Sequence, residues 1–97
     1  MYNIPLAINR LENLIDLAAS AKSEFEKASI YAAATTLTML FQAAADAQSL
    51  KVGMDLELIR WGICGSIGYD TQYESGAEGA LKVASASLRD LKKRFLL

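Results

Sequence analysis

Apolar residues recur at three- and four-residue steps through four stretches of this chain, the period of a helix with one buried stripe. In the first, Ile4, Ile8, Leu11, Ile15 and Ala18 step 4-3-4-3, with Asn3 placed to cap and Pro5 inside the first turn, where its missing N–H costs least. Ser23 followed three residues later by Glu26 matches a capping box and breaks the helical run after about residue 21. A second helix over 24–50 follows. It carries Ile30, Ala33, Ala34, Leu37, Leu40, Phe41, Ala44 and Ala47 on one broad face, with Tyr31, Ala28, Ala32, Met39 and Ala43 extending apolarity round the cylinder. Such a helix is expected to be buried on more than one side, by the rest of the fold or by a second copy.

Gly53 suits a left-handed residue closing helix two, and Asp55 the cap of helix three over 55–68. There Leu56, Ile59, Ile63 and Ile67 keep helical spacing, while Leu58-Ile59-Arg60-Trp61 breaks the alternation a strand needs. Gly62, Gly65 and Gly68 weaken this helix by roughly 1 kcal/mol each relative to alanine. At i, i+3, i+6 they also make a flat face on which another helix can settle. After a polar connection, Ser75 and Glu78 repeat the capping-box signature. Ala77, Leu81, Ala84, Leu88, Leu91 and Phe95 then step through a fourth helix over 76–95. The fold class expected is all-α: a four-helix bundle, 1–97 forming a single helical domain.

Composition adds a constraint. Sixteen alanines make a thin core, and a chain of 97 residues buries only about 60–70% of its unfolded surface. Completion by self-association, as a homodimer, or by a partner is therefore expected. The uncharged run 28–45 reaches the lower length for a membrane span, but Ser29, Thr35, Thr36, Thr38 and Gln42 interrupt it, and a central buried helix is the better reading. The opening Met1-Tyr2-Asn3-Ile4-Pro5 has no basic lead-in, and a lone Cys64 suits a reducing compartment; a cytoplasmic location follows as the expectation.

Chemistry is constrained by absences. There is no histidine, so Ser-His and Cys-His pairs and ordinary zinc sites are excluded. Cys64 sits among apolar residues with no activating base in its neighbourhood of the chain. Asp70, Glu74 and Glu78 share a helical spacing but lack any recognised metal-loop pattern, and read as a solvated acidic patch. No catalytic residue, metal or cofactor is expected, and the chain reads as a non-enzymatic protein-binding module of the inhibitor, antitoxin, immunity-protein, adaptor or assembly-chaperone kind.

The contact segment expected is the aromatic, acidic, glycine-rich middle: Arg60, Trp61, Tyr69, Asp70, Tyr73 and Glu74. Trp, Tyr and Arg join large apolar area to directional hydrogen bonds. The alternative is nucleic-acid binding by Lys82, Arg89 and Lys93, which fall on one side of helix four opposite its apolar stripe. The last seventeen residues carry five cations and one carboxylate. Cations at a helix C-terminus are favoured by the helix dipole in any case, which keeps protein binding the first reading.

Overall fold

A chain leaving one helix needs a new cap before it can begin another, and both caps expected in the first half are built. A computed structural model, which describes residues 2–69 and 76–96, forms α1 (Ile4–Ser20), α2 (Glu24–Ala47), α3 (Gly53–Ser66) and α4 (Gly76–Arg94), with no strand among the described residues. Asn3 Oδ1 accepts from the Leu6 N–H at 3.0 Å. Ser23 Oγ accepts from the Glu26 N–H at 3.1 Å, while Glu26 Oε1 accepts from the Ser23 N–H at 3.3 Å. The capping box thus separates α1 from α2 in three residues. Ser75 of the second signature lies outside the described residues.

The α2–α3 junction departs from expectation. Gly53 does not close α2; it opens α3, and the left-handed position falls on Ser49, with φ of 58°. The Leu50 N–H donates to the Ala45 carbonyl at 2.9 Å and the Ser49 N–H to Asp46 at 3.1 Å, a Schellman closure. Leu50 then packs back on the core, which draws the chain out of the helix earlier than the apolar pattern implied. Asp55 consequently sits inside the first turn of α3 rather than at its cap; Val52 holds the cap position with no side-chain bond. The end of α3 repeats the closure with a glycine: Gly68 has φ of 82°, and the Tyr69 N–H donates to the Cys64 carbonyl at 2.8 Å.

Contacts at one end of the molecule establish the direction of every helix. Tyr2 at the start of α1 meets Phe41 late in α2, and Phe41 meets Phe95 just past α4. Asp55 at the start of α3 is bonded to Arg94 at the end of α4. Starts of α1 and α3 therefore lie with ends of α2 and α4, an up-down-up-down bundle. Neighbours run α1–α2–α3–α4 and back to α1, with α1 also reaching α3 across the middle. The core gathers Leu11, Phe41, Leu56, Ile59, Ile63 and Leu91, all fully buried.

The tightest seam joins α3 to α4. A Cβ placed on Gly62 would lie 2.6 Å from the Ala80 carbonyl oxygen and 2.7 Å from Ala84 Cβ. The small-residue face expected of α3 does seat a helix at Gly62, and that helix is α4. By contrast, α2 and α4 occupy opposite corners, with no described Cα pair within 8 Å.

Two substitutions test this packing. Gly62→Ala gains about 1 kcal/mol of helix propensity but overpacks backbone at a cost of roughly 1–3 kcal/mol or more, so a net loss is expected. Urea unfolding should show a lower midpoint, and an unchanged or higher one would contradict the seam. Ser49→Gly relieves a left-handed serine and should stabilise by about 0.5–1 kcal/mol after the unfolded-state entropy of glycine is subtracted. A lowered melting temperature would count against the Schellman closure.

Candidate interaction surface

Of the six expected contact residues the structure describes three, Arg60, Trp61 and Tyr69. Arg60 and Trp61 are both half-buried on α3, but adjacent helical positions diverge by about 100°, and only Arg60 borders the groove between α2 and α3. Tyr69, half-buried beyond the end of α3, lies against Tyr31 of α2 with ring centroids 5.2 Å apart. Asp70, Tyr73 and Glu74 lie outside the described residues. Cys64 is fully buried in the core.

On α4, Lys82, Arg89 and Lys93 are exposed, yet carboxylates interleave with the cations around them. Lys82 pairs with Glu78 at 3.8 Å. Arg89 borders a groove of about 250 Å³ that also holds Glu12, Asp16 and Lys92, and Lys92 Nζ donates to Glu12 Oε2 at 2.5 Å. Arg94 Nε donates to Asp55 Oδ2 at 2.6 Å, with the Asp55 side chain only 11% exposed. These pairs join residues 39 and 80 positions apart, so no local spacing announces them. At the same end, burial pushes the Tyr2 hydroxyl above its ordinary acidity range, partly opposed by the Arg10 charge.

The surface that stands out is on α2. Burial on more than one side was expected; among the described residues one stripe is fully buried, formed by Ile30, Ala34, Thr38, Phe41 and Ala45. The physical reason is the corner position, since α1 and α3 flank the helix and α4 does not pack along it. Leu40 and Ala47, read as core-facing, are exposed, and Met39 and Phe25 are 62% and 82% exposed. With Ala28, Ala32, Thr36 and Ala43 they make an outer face free of charge from residue 28 to 45.

Two grooves border this face. One, about 190 Å³, runs between Leu17 of α1 and Phe25, Ser29 and Ile30 of α2. The other, about 200 Å³, lies between Met39 and Gln42 of α2 and Glu57 and Arg60 of α3. Thr35 also lines it, and its buried hydroxyl has no hydrogen-bond partner among the described residues. A buried hydroxyl without a partner costs about 1–3 kcal/mol. Thr38, one turn on, avoids that cost by donating to the Ala34 carbonyl at 2.8 Å. Among the described residues no group of three or more Asp, Glu or Cys side chains is arranged to hold a metal ion.

No family model, curated protein or solved structure matches the chain, so the reading of this surface rests on its own residues.

The ion pairs differ in weight. Arg94→Ala strands the nearly buried Asp55 carboxylate and should cost about 1–3 kcal/mol, whereas Lys82→Ala removes an exposed pair worth less than about 1 kcal/mol. Denaturant titration of both variants checks the order; equal losses would show that the Asp55 pair is fully screened.

Proposed function

We propose that the chain is a non-enzymatic protein-binding module whose contact surface is the outer face of α2 together with the α2–α3 groove. The observation that carries this reading is the uncharged outer face itself, with Phe25, Met39 and Leu40 each at least half exposed on one helix. Monomeric proteins seldom leave a contiguous apolar patch beyond a few hundred Å² in water, and larger ones mark places where something binds. Arg60, from the contact segment expected in the sequence, lies at the edge of this surface beside Met39. An Arg adjoining an apolar strip offers the mixture that protein partners use: area from Met39 and Leu40, direction from Arg60.

The alternative of phosphate contact by Lys82, Arg89 and Lys93 is weakened by Glu78, Glu12 and Asp16 among those cations. A positive strip broken by carboxylates neutralises few phosphates and gives little of the counterion release that drives such binding. By length and composition α2 is also able to cross a bilayer. Its inner stripe, however, is already used against α1 and α3.

Affinity capture from the native host tests the proposal. Met39→Glu and Arg60→Glu, each retaining native circular dichroism, should lose the captured proteins, while Arg89→Glu keeps them. Capture unaffected by the first two would move the contact away from α2 and α3.

A further inference from the structure

The outer face of α2 has a pattern that selects among partners. Phe25, Ala28, Ala32, Thr36, Met39 and Ala43 step 3-4-4-3-4, the seam of a helix that expects a neighbour along its whole length. We propose that this neighbour is α2 of a second copy, packed antiparallel about a two-fold axis. The inference rests on the protein-binding reading above and names the partner at that same surface.

Three features point to a second copy rather than a foreign helix. First, the face complements itself. With Ala32 beside Thr36 of the second copy, Phe25 falls opposite Ala43, Leu40 beside Ser29 on one flank, and Met39 beside Ala28 on the other. Every large side chain then meets a small one, and each such contact occurs twice, as two-fold symmetry requires. Alanine at the seam lets the axes approach to roughly 8 Å, at the close end for packed helices. Second, the charges agree. The strip is uncharged between residues 28 and 45, so along that length the seam sets no like charges against each other. The antiparallel arrangement also sets opposite helix dipoles side by side.

Third, the size fits. At 1.5 Å per residue the 24 residues of α2 run about 36 Å. A strip about 10 Å wide along that length has a footprint of about 360 Å² on each copy, and the side walls of its exposed side chains and the flanking grooves raise the accessible area removed toward the ~800 Å² per partner of a standard specific interface. The groove at Leu17 and Phe25 and the groove at Met39 and Arg60 border the strip, one toward each end of α2. They give the flanks of the second helix somewhere to rest. A domain of this length with an alanine-rich core also has more to gain from such a contact than a larger one.

Sedimentation equilibrium of the full chain at micromolar concentrations should give twice the 10.5 kDa chain mass. Ala32→Glu and Met39→Glu alter exposed positions away from the core and should each halve the observed mass with circular dichroism unchanged; two different positions guard against one variant misfolding. Chains carrying Ala32→Cys mixed with chains carrying Thr36→Cys should oxidise to the mixed disulfide, in preference to the like-with-like product a parallel pair would give. A single 10.5 kDa species across that range, a dimer that survives both glutamates, or a monomer that instead sediments with phosphatidylcholine vesicles would each overturn the proposal. If the chain is monomeric but Met39→Glu still abolishes capture of host proteins, the second copy falls and the protein-binding reading stands. If the glutamates disturb neither capture nor mass, both fall.

Discussion

The close approach of α3 and α4 at Gly62 is the constraint from which the rest of the bundle follows. With the site of a Gly62 Cβ already taken by Ala80 and Ala84, these two helices come together as a pair with almost no side chain between them at that point. α1 fits against both, and α2 packs along α3 and α1, meeting the end of α4 through Phe41 and Phe95. A four-helix arrangement drawn in on one seam cannot equally cover its opposite corner. The apolar surplus on α2 is thus a consequence of packing elsewhere, not a local irregularity of that helix.

One end of the bundle holds that geometry in register. The rings of Tyr2, Phe41 and Phe95 join α1, α2 and the end of α4, and Asp55 with Arg94 joins α3 to α4. Aromatic contacts of this kind add about 0.5–1.5 kcal/mol beyond the area they bury. The Asp55 pair is better shielded than the surface pairs at Lys27 and Lys82, because its carboxylate is nearly buried. A basic C-terminal stretch therefore has a structural use before any ligand is invoked. Lys92 and Arg94 bind carboxylates of the same chain, and the cations left outward-facing are fewer than the sequence suggests.

Much of this architecture was legible from local pattern. Asn3, the Ser23–Glu26 box and the 4-3-4-3 stripes are short-range signals, and the helices they mark begin and end within a few residues of expectation. What eluded sequence reasoning depends on residues distant along the chain. Ser49 takes the left-handed position because Leu50 folds onto a core that only the assembled bundle supplies. Asp55 is claimed by Arg94, thirty-nine positions away, rather than by the start of its own helix. The outer face of α2 was visible as an excess of apolarity, but apolarity alone does not say which side a neighbour will leave open. Of the expected contact residues that the structure describes, Arg60 lies beside that face and Tyr69 lies against Tyr31.

If the uncovered corner is filled by a second copy, folding and association are one equilibrium, and stability must depend on how much protein is present. The most direct measurement is the thermal unfolding midpoint of the unmodified chain as its concentration is raised from below to above the micromolar range. An α2–α2 pair requires the midpoint to climb steadily with concentration, whereas a midpoint independent of concentration would show that one copy completes the bundle alone.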